Sequence, residues 1–184
     1  MIFTTGHTKG IGKALNDYYG GRGFSRSNDY DLTNKVDRYK MYDQLDDCTV
    51  FINNAFCYND PTSPEHMWVQ TEILYELYNK MTKDQIILSI GSNTVDENQR
   101  RVWPYQAAKA GLHKAINQLQ YTSGGPKICS VRFGYVGTED IITKFNPKAY
   151  VALRDAVTCV DFVVQQAHAG YLINNMLIRA VEYE

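Results

Sequence analysis

Three residues of this 184-residue chain carry groups suited to moving a proton and holding an oxygen: Ser92, Tyr105 and Lys109. Tyr105 and Lys109 stand four apart in "YQAAKAGLHKAINQL", so on a helix they share one face. A phenol ordinarily titrates near 10, too high for ready proton exchange at neutral pH. An ammonium held beside it favours the phenolate and draws that value toward the range of a general acid or base. Ser92 closes the apolar run "IILSIGS", which puts its hydroxyl at a strand end, where it can bond a substrate oxygen.

A second group lies near the start. In "TTGHTKGIGKAL", Gly6, Gly10 and Gly12 follow the first apolar residues and precede Ile11, Leu15 and Tyr18 at helical spacing. Glycines at a strand-to-helix turn let backbone N–H groups and the positive helix end face a phosphate, although an ordinary turn also uses glycine. His7 and Lys9 sit inside the same loop. About twenty residues past the first glycine, dinucleotide sites that take NAD carry a carboxylate for the ribose 2′-hydroxyl. Here that place holds Arg26, flanked by Ser25 and Ser27. Arg26 and Lys9 with these hydroxyls suit a 2′-phosphate, through charge-assisted hydrogen bonds, so the expected cofactor is NADP(H) in preference to NAD(H).

These groups need elements to position them. Strands are expected at Met1–Thr5, near Gly23–Ser25, and at Thr49–Asn54, Gln85–Ile90, Lys127–Phe133 and Met176–Val181. Helices are expected near Ile11–Tyr19, Lys35–Leu45, Pro64–Met81, Pro104–Tyr121 and Thr158–His168. Short β-branched runs alternating with amphipathic helices indicate an α/β fold: a Rossmann-type doubly wound parallel sheet in three α/β/α layers, forming one domain over 1–184. Ligands of such sheets bind beyond the carboxyl ends of the strands. In the helix holding Tyr105 and Lys109, Leu112 and Ile116 continue the stripe, so its first turn must open onto a cleft while later turns are buried.

Composition narrows the classes. Hydrophobic residues are 44% and charged residues 21%, an ordinary globular balance, and the formal net charge is −1. This speaks against nucleic acid or an anionic membrane as the main partner. No apolar run reaches bilayer length and no leader pattern opens the chain. Cys48, Cys57, Cys129 and Cys159 are widely spaced in or near apolar stretches and read as reduced thiols, with no spacing for a metal; a cytoplasmic location is expected.

With these residues assembled, the chain resembles a compact, unusually short member of the short-chain dehydrogenase/reductase family. "TGHTKGIG" fits the family's Thr-Gly-x-x-x-Gly-x-Gly loop, and Asp31 and Leu32 of "YDLTN" fit the segment that flanks the adenine. Asn53, Asn54 and Ala55 match the start of Asn-Asn-Ala-Gly, "YQAAK" is Tyr-x-x-x-Lys, and Ser92 precedes Tyr105 by 13 residues. "VRFGYVGT" resembles the segment lining the nicotinamide, which brings in Gly134, Val136 and Thr138. The resemblance implies hydride transfer between a nicotinamide and a small carbonyl or alcohol. Tyr105 would be the general acid/base, Lys109 would tune it and hold the ribose, and Ser92 would orient the substrate oxygen.

Departures from the pattern are specific. Phe56 stands for the family's Gly, and Phe133 for its Pro. The Asn expected on the helix before Ser92 is missing, with Gln70 the nearest polar candidate and His66 and Asn79 less well placed. The substrate lid is shortened to about 138–156, with Ile141, Ile142 and Phe145 as apolar contacts and Trp103 as a further pocket residue. Helix 64–81 carries two apolar stripes, one with Met67, Leu74, Leu77 and Met81, the other with Val69 and Ile73. A second apolar side, together with the family's habit of associating through this helix and the Tyr-Lys helix, leads to the expectation of a homodimer or homotetramer. The competing reading is an NADP(H)-binding sensor that has lost catalysis. A sugar epimerase of the extended branch is disfavoured by the glycine spacing.

Overall fold

The computed structural model describes residues 1–56, 67–96 and 104–181. Cys57, His66, Trp103 and the first residues of helix 64–81 lie outside the described residues. The described strands form one parallel sheet: β1 (Ile2–Thr5), β2 (Arg22–Phe24), β3 (Val50–Asn53), β4 (Ile86–Ser92), β5 (Lys127–Phe133) and β6 (Met176–Ile178), in the order β2-β1-β3-β4-β5-β6. Alternating residues along each strand feed opposite faces, as the two-residue period requires. Phe3, Phe51, Ile87 and Ile128 pack under α2 (Lys35–Tyr42), α3 (Val69–Lys80) and α4 (Pro104–Gln120). Val50, Ile52, Leu88 and Val131 pack under α1 (Gly10–Tyr19) and α6 (Leu153–His168). Each large apolar side chain buried this way stabilises the fold by roughly 1.5–3 kcal/mol. The result is the three-layer arrangement read from the alternation of strands and helices.

The register brings the functional ends together. Asn53 lies beside Ser89, and Ser92 beside Phe133, so β3, β4 and β5 finish near one edge. Several expectations are corrected at this level. The stretch 139–145, expected as part of a lid loop, is a short helix, α5 (Glu139–Phe145), with no buried residue. Both apolar stripes of the 64–81 segment are covered within the chain: Met67, Val69, Ile73, Leu74, Leu77 and Met81 are all buried. The exposed aromatics there are instead Trp68 and Tyr75. Among the described residues, Cys48 and Cys129 are buried free thiols and Cys159 is a half-buried one. No described helix is long and apolar enough to cross a membrane.

One buried ion pair shapes the edge of the site. Arg38 on α2 is 4% exposed. It donates through Nε and Nη2 to the two carboxylate oxygens of Glu76 on α3, at 2.8 and 3.0 Å, with Glu72 at 3.0 Å. Tyr42 donates to the same Glu76 at 2.7 Å, and Arg38 Nη1 donates to the Leu32 carbonyl at 3.0 Å. The forked guanidinium thereby ties α2 to α3 and fixes the Asp31–Thr33 loop.

Candidate functional site

The loop after β1 is held by short-range packing. Gly6 has φ of +69°, a left-handed conformation, and a side chain there would press on Ala55. A methyl group on Gly12 would run into the Gly6 carbonyl oxygen and the Asn54 side-chain amide. Gly12 therefore lets α1 sit directly on the loop, and it does not itself line the cavity. Thr5 completes the joint: its hydroxyl accepts from the backbone N–H groups of Asn54 at 2.9 Å and Ala55 at 3.0 Å. Lys9 starts α1 without a side-chain cap, so no side chain occupies the first amides of the helix. Uncapped amides and the positive helix end beside close-packed glycines fit a pyrophosphate.

A cavity of about 550 Å³ runs from this loop along the strand ends. At one end it is lined by Ser25, Arg26, Ser27, Asp31 and Leu32, in the middle by Gly6, Lys9, Gly10, Ile11, Asn54, Ala55 and Thr138, and at the other by Ser92, Tyr105, Lys109, Gly134 and Val136. The volume lies within the usual range for small-molecule sites. The two groups of residues singled out in the sequence, far apart in the chain, thus share one cleft.

Like Gly12, two more of the expected cofactor residues, His7 and Asn53, do not line the cavity. His7 turns away from the cavity, its ring lying over Gly23 on β2. Asn53 is wholly buried and donates to the Gln70 carbonyl at 2.8 Å, so it braces β3 against α3. Lys9 lines the cavity, but its ammonium pairs with Asp140 of α5 at 2.8 Å. The partner is 131 residues away in sequence, which hides it from a local reading. Arg26 lines the cavity between Ser25 and Ser27. Asp31 is engaged locally, accepting from the Thr33 N–H at 3.0 Å and hydroxyl at 2.8 Å.

At the other end, the first turn of α4 does open onto the cleft while Leu112 and Ile116 are buried, as the mixed stripe requires. Ser92 Oγ accepts from both the N–H (3.3 Å) and the hydroxyl (3.0 Å) of Thr94. With those positions filled, the Ser92 hydrogen is a donor for a ligand oxygen. Sequence reasoning misses Thr94; a hydroxyl two residues past a strand-end Ser is the signal that could have found it. Phe56 stacks edge-on to Tyr105, with centroids 4.9 Å apart and an 80° angle between planes. The Lys109 ammonium stands 5.6 Å from the Tyr105 ring centroid and 5.1 Å from that of Phe56. Lys109 is 4% exposed, and burial pulls its ammonium down to about 7.

Gln70 is not in the cavity. It is buried behind Lys109 and takes the amine on its side-chain oxygen at 2.6 Å, so it reaches the site only through that lysine. Over the cleft, α5 contributes Asp140, Ile141, Lys144 and Phe145, and the Phe145 ring lies 5.7 Å from that of Tyr135. Ile142, expected with them, is exposed and does not line the cavity.

No family model and no curated protein matches the sequence. Solved structures do match. A protein described as of the short chain dehydrogenase/reductase family aligns with a TM-score of 0.79 at 16% identity, covering 97% of this chain and 94% of its own. The closed form of serine dehydrogenase complexed with NADP+ aligns at 0.74 and 16% identity, over 96% and 93%. A 7α-hydroxysteroid dehydrogenase complexed with NADH and 7-oxo glycochenodeoxycholic acid aligns at 0.76 and 14% identity, over 97% and 91%. Across almost its whole length, then, the chain has the fold of the short-chain dehydrogenases and reductases.

Proposed function

We propose that the chain is a short-chain dehydrogenase/reductase that interconverts a small carbonyl compound and its alcohol with a nicotinamide cofactor, preferring NADP(H). The observation that carries this reading is the shared cleft: Ser92, Tyr105 and Lys109 line the same cavity as the glycine loop. Bound in that cavity, the cofactor supplies or accepts the hydride. The uncapped start of α1 and Asn54 hold its pyrophosphate. Leu32 and Asp31 flank the adenine, Gly134 and Val136 line the nicotinamide end, and Thr138 meets the cofactor beside Gly10. Arg26, Ser25 and Ser27 meet the 2′-phosphate. Structural neighbours carrying NADP+ and NADH support a nicotinamide cofactor, and the preference rests on Arg26 with Ser25, Ser27 and Lys9.

In this reading Ser92 donates its hydrogen to the substrate oxygen, Tyr105 delivers or removes the proton at that oxygen, and Lys109 sets the readiness of the phenol. Polarising an oxygen with a fixed hydroxyl and moving the proton in place are the contributions the chain itself makes to the barrier. The exposed Trp68 and Tyr75 on the α3 side support self-association as a homodimer or homotetramer.

The test is Tyr105→Phe against a panel of carbonyl compounds, followed by NADPH oxidation. The expected result is wild-type turnover, loss of at least ~100-fold in the variant, and NADPH binding kept in both. Unchanged turnover in the variant contradicts the assignment. A wild type that binds NADPH and turns over no substrate favours the sensor reading.

A further inference from the structure

We propose that Gln70 is a positioning residue, whose carboxamide seats the Lys109 amine at the carboxyl end of β4 in a socket walled by Phe56. The inference rests on the reading of Lys109 as the partner of Tyr105.

The orientation of the carboxamide is forced. Its nitrogen donates to the Asn53 carbonyl at 2.6 Å and the Ile90 carbonyl at 2.9 Å, while its oxygen accepts from Lys109 Nζ at 2.6 Å. A flipped amide would set its oxygen against two carbonyl oxygens and its N–H groups against the lysine ammonium, and neither side could then form a hydrogen bond. The Gln70 backbone carbonyl also takes the Asn53 side chain at 2.8 Å, so β3 and α3 are bonded in both directions. Lys109 reaches the Ile90 carbonyl as well, at 3.1 Å, and that oxygen is shared by both side chains. Gln70 is 2% exposed and Lys109 4%, so a missing partner would leave a buried polar group unsatisfied.

Among the described residues, the groups hydrogen-bonded to Nζ are neutral. From α3 comes the Gln70 carboxamide and from β4 the Ile90 carbonyl, with the Phe56 ring beside them from the loop after β3. Among the described residues, Tyr105, on the same helix, is a titratable neighbour of Lys109. The lowered titration of Lys109 has burial as its cause, with no carboxylate offsetting it among the described residues. A carboxamide of Gln length meets the amine directly. Phe56, where a glycine would leave space, stands beside the amine and steadies the Tyr105 ring edge-on. Two departures from the family's pattern, Gln70 and Phe56, thus act on one atom.

The experiment is nuclear magnetic resonance of protein labelled with ¹³C at lysine Cε, the Lys109 signal identified by its absence in Lys109→Met. In the wild type that signal titrates well below the other lysines. Gln70→Glu sets an acid opposite Nζ and gives up the donors to the Asn53 and Ile90 carbonyls, and it shifts the Lys109 titration midpoint by ~1 pH unit or more. Gln70→Met, which keeps the length and removes the acceptor, moves both the titration and the ring-current shift from Phe56, and it carries the test if the Glu variant does not fold. Variants that fold with a Lys109 titration and chemical shift equal to wild type overturn the proposal. The functional reading fails separately: if Lys109 responds to Gln70 but Tyr105→Phe leaves turnover intact, the seat stands and the catalytic role falls.

Discussion

Replacing Lys109 by Met tests whether the lysine is as dry as its packing implies. The substitution keeps the length of the stem and removes the charge. In the folded chain the ammonium is drawn to about 7 from an ordinary 10.5. Between those values the unfolded chain binds more protons than the folded one, so stability rises with pH across the window. Below about 7 both states are protonated and the wild type bears the full burial penalty; above about 10.5 both are neutral and the penalty is gone. Moving a titration midpoint by one pH unit is worth about 1.36 kcal/mol, which sets a ceiling of roughly 5 kcal/mol for the full window. The assay is urea unfolding of both proteins at half-unit steps from about pH 6 to about 9.5, spanning most of that window. Titrating groups that do not touch Lys109 cancel in the difference, and the acceptor orphaned in the variant, Gln70 Oε1, adds an offset that does not depend on pH, while the Ile90 carbonyl keeps its bond from Gln70 Nε2. Wild type minus Lys109→Met should be flat near pH 6 and climb above about pH 7 by up to about 1.4 kcal/mol per pH unit. A difference that is flat throughout, or that falls as pH rises, refutes the reasoning.

Three other outcomes follow from the same packing. Gly12→Ala drives a methyl group into the Gly6 carbonyl and the Asn54 amide; it should lower the melting temperature and abolish NADPH binding together, whereas Gly20→Ala, with open space around it, should leave binding intact. Arg38→Met removes the guanidinium from the part-buried Glu76, which keeps the Tyr42 hydroxyl, and releases the Leu32 carbonyl; the cost should be about 1–3 kcal/mol, read by urea unfolding, with weaker nucleotide affinity. Asp140→Asn removes a pair whose side chains are 77% and 54% exposed, so stability should change by less than about 1 kcal/mol, while the freed Lys9 should tighten NADPH in a titration at low salt.

Legibility in the sequence follows the physics of each signal. Strands β1, β3, β4 and β5 are readable because apolar runs buried on both faces are unambiguous, and Lys127–Phe133 matches to the residue. Ser92, Tyr105 and Lys109 are readable because helical and strand periodicity fix where their side chains point. The helix α5 is not: at seven residues it is too short for the apolar pair Ile141 and Phe145 to show a helical repeat. Lys9 lines the cavity as expected, and its pairing with Asp140 is a tertiary contact with no local trace in the sequence. His7 and Asn53 stand in motifs that suggest cofactor contact, but packing on Gly23 and bonding to Gln70 decide their roles. The second apolar side of α3 points outward only until the sheet and α4 are in place to cover it.

The central claim is that the glycine loop and the Tyr105 end form one nicotinamide dinucleotide site, and paired titrations of the wild-type chain with NADPH and NADH test it most directly. Fluorescence of the bound nucleotide and the change in melting temperature should both saturate, with NADPH the tighter ligand and its advantage removed in Arg26→Ala. Saturation with NADH tighter would contradict the role given to Arg26. Absence of binding by either nucleotide would contradict the site itself.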